Sequence, residues 1–304
     1  MSEQYEVVII GGGAAGLNAA LVLGRSKRNV LVLDENKARN NVTKASHGYL
    51  TRDGVKPEEF KGIGISEINA YPSVTYKESK VTSLYKEEGL FHIQGDERHY
   101  TAKRVIVATG MKDSLPNIKG IHDVYGTTVF HCPYCDGWER REEPLAVFGN
   151  DPGLMDYVKL IYNWSQDLIV FTNGPAQISE DEKKDLKLHS VKLIEEPLRE
   201  LVSVNGDLKE VIGASGEVYD RSGGFILDTS EAQSFPLHEY FDIEFTEMGG
   251  YYTKEGCETL VEGLYVIGDS RHGFSGLLKA ASEGYELAVA LNHELAVNEW
   301  GKRG

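Results

Sequence analysis

Cysteine is scarce in this sequence. The 304 residues include three, too few for a disulfide scaffold, so stability must come from a hydrophobic core. Positive charge is also in deficit: 32 Lys and Arg stand against 47 Asp and Glu, a net charge of -15. Such a chain has little to offer a phosphate backbone, and nucleic acid is not an expected partner. An acidic surface suits solubility, or docking to a basic patch on another protein. No apolar run approaches the roughly 20 residues needed to span a bilayer, so no membrane is expected. Met1-Ser2-Glu3-Gln4 has no basic n-region and leads straight into a short apolar strand. No signal peptide is therefore expected, and the setting it implies is a cytoplasm that keeps thiols reduced. Tandem repeats and low-complexity segments are absent as well. What remains is 41% hydrophobic and 26% charged, the balance of a globular protein long enough for two domains.

Two of the cysteines sit in Cys132-Pro133-Tyr134-Cys135-Asp136-Gly137. Cysteines at this spacing form a disulfide within a single turn and constitute a redox motif. A thiol in such a pair can have its pKa lowered to about 7 or below, which supplies thiolate at neutral pH. Asp136 adjoins the second sulfur. A carboxylate alone would raise a nearby thiol's pKa, so its use lies in proton transfer. His131 with the two sulfurs would give a metal only part of a ligand set, and no second Cys or His pair follows at finger spacing, which argues against zinc. Cys257 stands alone and reads as a buried, inert thiol.

Around this motif the chain is built from strands that end in small residues. Tyr5 to Ile10 is a β-branched run typical of a buried parallel strand. Gly11-Gly12-Gly13-Ala14-Ala15-Gly16 follows, then a helix over Leu17 to Leu23 and a strand over Asn29 to Leu33, closing on Asp34-Glu35. This is a complete βαβ dinucleotide-binding unit. Gly11 permits the tight turn, Gly13 lets backbone approach a pyrophosphate, and Gly16 allows close helix–strand packing. The helix start offers amides to the phosphates, and the acid about 20 residues on is placed for a ribose hydroxyl. Arg39 to Asn41 and His47 to Gly54 look like loops, Pro57 to Ala70 a helix with proline in its first turn. Val74 to Tyr76, Val81 to Glu87 and Leu90 to Gln94 read as a small antiparallel meander. A buried strand then runs into Ala108-Thr109-Gly110, and Gly263 to Ile267 repeats the pattern into Gly268-Asp269, ahead of an apolar helix over Leu277 to Leu295. A second βαβ pattern lies between, with strands over Pro144 to Gly149 and Leu168 to Phe171 and a helix over Leu154 to Trp164. The expected fold is α/β, with two Rossmann-like, doubly wound, three-layer nucleotide-binding domains, the second inserted in the first. Residues 1–113 and 246–304 make the split domain; residues 114–245 make the inserted one, which carries the cysteine pair.

Taken together, the glycine turn, Ala108-Thr109-Gly110, Cys132-x-x-Cys135-Asp136-Gly137 and Gly268-Asp269 resemble the low-molecular-weight thioredoxin reductase family of flavoprotein disulfide oxidoreductases. The resemblance covers nearly the whole chain. It implies FAD in the split domain, two domains that rotate relative to each other, and a homodimer. It implies FAD contacts from Gly11, Gly13, Ala14, Ala15, Gly16, Asp34, Glu35, Ala108, Thr109, Gly110, Gly268 and Asp269. It also implies that Cys135 lies nearer the flavin and that Cys132 exchanges with the external disulfide. His131 to Glu139 is similar to a branch that includes oxidases of small dithiol natural products, and the loop from Arg39 to Gly54 looks like that branch too. Within this loop Asn40 and His47 are candidate cofactor contacts, although a loop histidine such as His47 is more often plain surface. The branch often has His where this chain has Asp136; the acid is the thioredoxin reductase choice.

The sequence departs from the family at two places. Members that use NADPH carry a second fingerprint, GxGxxA, and a pair of arginines after the next strand. Here the stretch is Gly149-Asn150-Asp151-Pro152-Gly153-Leu154, and Phe171-Thr172-Asn173-Gly174-Pro175-Ala176 supplies no arginine. Asp151 would oppose a pyrophosphate and block close backbone approach, so NADPH is a doubtful cofactor. Pro152, read as the first helical position, costs little there. The family's glutamine before the C-terminal helix is replaced by Gly276, with Lys279 following, either a stabiliser of anionic reduced flavin or a solvated residue. The expected activity is FAD-dependent dithiol–disulfide exchange with a thioredoxin-like protein or a small-molecule disulfide. NADPH, NADH or a protein such as ferredoxin or flavodoxin would donate electrons, or oxygen would accept them from a small dithiol. A non-catalytic FAD-binding regulator is the reading from another class.

Overall fold

In the computed structural model, which describes residues 3–301, the chain forms two compact units. One comprises Met1–Asn41, Tyr49–Lys112 and Glu231–Gly304; the other comprises Val42–Gly48 and Asp113–Ser230. Met1 and Ser2, the start of the segment in which no signal peptide is expected, lie outside the described residues.

The first unit opens with β1 (Glu3–Ile10), α1 (Ala14–Arg25), β2 (Val30–Asp34), α2 (Pro57–Ile68) and β3 (Val74–Glu78). β4 (Ser83–Glu87), β5 (Leu90–Gln94) and β6 (His99–Val107) follow. β1 pairs in parallel with β2 on one side and β6 on the other. Its Val7 and Ile9 enter one core and its Val8 and Ile10 another, all essentially without exposure. That is why the run is apolar at every position rather than at alternate ones. β3 lies parallel to β2, not within an antiparallel meander as its sequence suggests. The helical crossover through α2 dictates the parallel sense. The meander is made instead by β4, β5 and β6.

The chain then passes β7 (Met111–Ser114) and enters the second unit through α3 (Ile121–Val124), β8 (Val129–Phe130), α4 (Pro133–Asp136) and β9 (Leu145–Phe148). It continues through α5 (Leu154–Tyr162), β10 (Leu168–Phe171), α6 (Glu180–Leu188) and β11 (Lys192–Ile194). β12 (Leu198–Val204), β13 (Asp207–Gly213), β14 (Val218–Asp220) and β15 (Gly223–Ile226) complete it. The main sheet is parallel, in the order β11-β10-β9-β15-β8, and β12, β13 and β14 form a separate antiparallel sheet. β9 and β10 are buried throughout.

After β16 (Ser230–Gln233) the chain rejoins the first unit. Phe235, Leu237 and Ile243 belong to that unit's core, which carries the segment from 231 with it rather than starting at 246. β17 (Leu264–Val266) pairs in parallel with β6, and α7 (Asp269–His272) and α8 (Gly276–Gly301) end the described chain. α8 shares one core with α1, through Leu287, Ala288 and Leu291 against Ala19, Ala20 and Leu23. Each such leucine contributes about 1.5–3 kcal/mol on burial. The helices approach closely because the contact residues are small: a Cβ on Gly284 would lie 2.1 Å from the Ala15 carbonyl oxygen.

Candidate functional site

In the first unit, the ends of β1, β2, β6 and β17 converge on one place. Gly11 has φ +108°, and a Cβ there would fall 2.3 Å from the Ala108 carbonyl oxygen, so glycine is required. Its N–H donates to the Leu33 carbonyl, and the Ala108 N–H donates to that of Ile10. A Cβ on Gly16 would meet the Gly11 carbonyl oxygen at 2.0 Å, whereas one on Gly13 would meet nothing within 4 Å. The two outer glycines are therefore packing requirements, and the middle one leaves an open approach. α1 begins here with no side-chain cap and no acid in its first turn. Its first amides, from Ala14 and Ala15 onward, and its positive dipole end are thus available to an anion.

Ser270 ties the other two motifs together. Its Oγ lies 3.1 Å from Thr109 Oγ1 and donates to the Gly110 carbonyl. Gly268 has φ +69°, and its N–H donates to Glu283 Oε2 at 2.8 Å. Glu283 reaches this turn from α8, is 7% exposed, and also receives Arg271 and His272 at 2.6 Å each. Burial pulls its carboxyl upward, but these donors outweigh burial and hold it below the usual carboxylate range. Asp269 Oδ1 accepts from both the amide and the hydroxyl of Ser275. Arg39 Nη1 approaches Asp269 Oδ2 at 3.4 Å and donates to the Gly273 carbonyl at 3.1 Å.

Asp34 closes β2 with its carboxylate against Gly12, where a Cβ would sit 2.7 Å from Oδ2. The same oxygen accepts from Tyr76 and pairs with Lys61. Burial raises the carboxyl, yet Lys61, Tyr76 and the Gly12 amide hold it below its ordinary value. A carboxylate has about four acceptor positions, so these partners leave capacity for a hydroxyl donor. Glu35 is held low chiefly by Lys37. Asn40 lies half-buried in a short 3-10 helix, Arg39–Val42, and Lys279 is exposed near the start of α8. The open glycine turn, the bare helix start and the locked Gly268-Asp269 turn fit the pyrophosphate and sugar parts of FAD. Cys257 is half-buried against the core of this unit, and burial raises its thiol.

The second unit holds the sulfurs. Cys132 and Cys135 are disulfide-bonded across the single helical turn α4. The Cys132 carbonyl accepts from the amides of Cys135 and Asp136, and the Pro133 carbonyl from Gly137. A Cβ on Gly137 would lie 2.4 Å from the Pro133 carbonyl oxygen and 2.7 Å from Trp164, so only glycine closes the turn. From behind, Tyr157 donates to the His131 carbonyl at 2.7 Å, and Thr229 Oγ1 lies 3.2 Å from His131 Nδ1. Both cysteines are partly exposed.

Asp136 is pushed up to about 7. Burial is the largest cause; Glu139 adds to it, and His47 and Arg140 oppose it. His47 Nε2 lies 3.7 Å from Glu139 Oε1, in the short segment Val42–Gly48 that packs with this unit. The sequence offers His47 as a candidate cofactor contact or plain surface; the structure shows it among the charges around Asp136. Only a fold could reveal that neighbourhood, since His47 is far from Asp136 in sequence. Arg39, Glu283, Lys61 and Tyr76 escape the sequence motifs for the same reason.

The second glycine turn differs from the first. Pro152 lies two residues before α5, not at its first position; the helix starts at Leu154 after Gly153 at φ +102°. The backbone amides of Asn150 and Asp151 both donate to the Asp228 carboxylate, at 2.8–3.2 Å. The Asn150 side chain donates to the Pro175 carbonyl and accepts from the Gln177 amide. The loop after β10, where the family's arginines would stand, is thus fastened to the turn.

A family model described as pyridine nucleotide-disulphide oxidoreductase matches residues 5–152. A curated relative from Arthroderma benhamiae, provisionally assigned as a thioredoxin reductase, is 29% identical over 96% of this chain and 81% of its own length. A solved structure from Bacillus anthracis, also provisionally assigned as a thioredoxin reductase, is 38% identical, with TM-score 0.93 over 97% of this chain and 99% of that one. The chain belongs to the thioredoxin reductase-like FAD-dependent disulfide oxidoreductases. An oxidoreductase from Agrobacterium tumefaciens, 29% identical with TM-score 0.87 over 97% of this chain and 99% of that one, has the same architecture. As in thioredoxin reductase structures, both nucleotide-binding folds are Rossmann-like. The protein is accordingly a flavoprotein oxidoreductase. Among the described residues, no helix is long and apolar enough to cross a membrane.

Proposed function

We propose that this enzyme moves electron pairs between FAD and the Cys132–Cys135 disulfide, and between that pair and a disulfide on a thioredoxin-like protein or small molecule. The observation that carries the reading is a disulfide followed directly by a carboxyl group whose pKa lies near 7. When bound, FAD supplies the ability to take up or release two electrons. The turn at Gly11, Gly13 and Gly16 would hold its pyrophosphate, with Ala14 and Ala15 contributing helix amides. Asp34, Glu35, Asn40, Thr109 and Asp269 supply candidate polar contacts.

The sulfur chemistry balances as follows. The Cys132–Cys135 bond breaks on taking up two electrons and two protons, giving two thiols. Asp136, protonated below about pH 7, donates one proton to Cys135 and recovers it when that thiol is next ionised. Cys132 thiolate attacks the external disulfide, forming a mixed disulfide and releasing one thiol. Cys135 thiolate then attacks Cys132 sulfur, restoring the bond and releasing the second thiol. Run backwards, the same sulfur steps would oxidise an external dithiol, for which bound FAD would supply the two-electron acceptor and oxygen the final one; the altered second glycine turn favours keeping that direction open. Photoreduction of the flavin, followed by alkylation and mass mapping, tests the reading. Both Cys132 and Cys135 should become alkylated while labelling of Cys257 stays constant. A fully reduced flavin beside an intact disulfide would sink it.

A further inference from the structure

The second unit carries its own anion on the turn where a dinucleotide phosphate would lie. β9 and β15 are parallel neighbours, and just past the end of β15 Asp228 turns its carboxylate onto the start of the glycine turn. Oδ1 and Oδ2 accept the Asn150 amide at 2.9 and 2.8 Å, and Oδ1 also accepts the Asp151 amide at 3.2 Å. Gly149 makes the room: a Cβ there would lie 3.0 Å from Asp228 Oδ1 and 2.9 Å from Leu227. The glycine that matches the tight-turn residue Gly11 of the first unit here makes room for a carboxylate.

Three further features agree. α1 begins at the third residue after Gly11, whereas α5 begins at the fifth after Gly149. The helix amides are thereby set back from the turn. Asp151 occupies the position matching Gly13, the open residue of the first turn. Asn150 pins Pro175 and Gln177, and the Ala176 amide is taken by Glu195, which also holds Lys183, so the facing loop's polar groups are already committed to one another.

We infer that Asp228 is an intramolecular surrogate for the pyrophosphate, which closes the second unit to pyridine dinucleotides and makes the flavin exchange electrons with something other than NADPH or NADH. A second anion on these amides would have to expel a carboxylate bound by charge-assisted hydrogen bonds and would meet Asp151 as well. This inference rests on the proposed flavin–disulfide reading and specifies its electron partner by exclusion.

The test uses the FAD-loaded protein. Anaerobic equilibrium dialysis and flavin absorbance with NADPH or NADH should show neither binding nor bleaching in the wild type. ADP binding should rise by at least about tenfold in Asp228→Gly combined with Asp151→Gly. If that variant loses its flavin or its fold, Asp228→Asn, which keeps an acceptor but removes the charge, should still raise ADP affinity above the wild type's. Micromolar NADPH binding or rapid bleaching in the wild type overturns the inference. So does a folded variant with no gain. Dithiothreitol, added to the same wild-type sample, separates the two levels: bleaching through the cysteines would uphold the flavin–disulfide reading whatever the nucleotides do.

Discussion

Asp136 holds its proton to about pH 7 because burial disfavours the carboxylate more than His47 and Arg140 favour it. Two outcomes follow. In the dithiol-to-flavin direction the proposed role of the group is that of a base, so the wild-type rate should rise through pH 7. Asp136→Asn should remove that inflection and slow the step by roughly 10²–10⁴, measured by anaerobic stopped flow. For stability, the folded state keeps the proton over a range in which the unfolded chain has lost it. Stability from this group is therefore lost as pH rises from the ordinary aspartate range to about 7, and is level above. Asp136→Asn should melt higher than the wild type at pH 8, with the difference vanishing toward pH 4. A function kept at the expense of stability is the expected pattern for an active-site acid. The acid itself was legible beside its cysteines. Its pKa was not, because His47, Glu139 and Arg140 gather only in the fold.

The secondary elements meet through small residues, and that is where the glycine turns acquire their meaning. Gly11, Gly16 and Gly284 each leave less than 2.5 Å between an added Cβ and a backbone oxygen. Gly284→Ala would push α8 from α1 and disturb the Glu283–Gly268 bond one residue away. We expect a loss of about 1–3 kcal/mol, seen in chemical denaturation, together with a lower flavin content. Glycine fingerprints were readable because they are local and their strands are apolar on both faces. The sense of β3 was not, since a short strand looks alike in a parallel edge and a meander, and only the α2 crossover decides it. Asp228 was invisible for a related reason: it lies 77 residues beyond Asp151 and carries no motif.

For the whole molecule, ligands should register by mass action. FAD held by the first unit, as proposed, should stabilise the apoprotein by about 2.7 kcal/mol at a hundred times its Kd, seen as a higher melting temperature. NADPH at the same ratio to a typical reductase affinity should leave the melting curve of the FAD-loaded protein in place, because Asp228 already satisfies the second turn. In the proposed function the flavin communicates with substrate only through the sulfurs of Cys132 and Cys135. The most direct measurement is flavin absorbance during anaerobic addition of dithiothreitol to the wild type, Cys132→Ser and Cys135→Ser, all loaded with FAD. Prompt bleaching is expected in the wild type and, in both variants, bleaching no faster than that of free FAD. Equal bleaching in all three proteins would contradict that function.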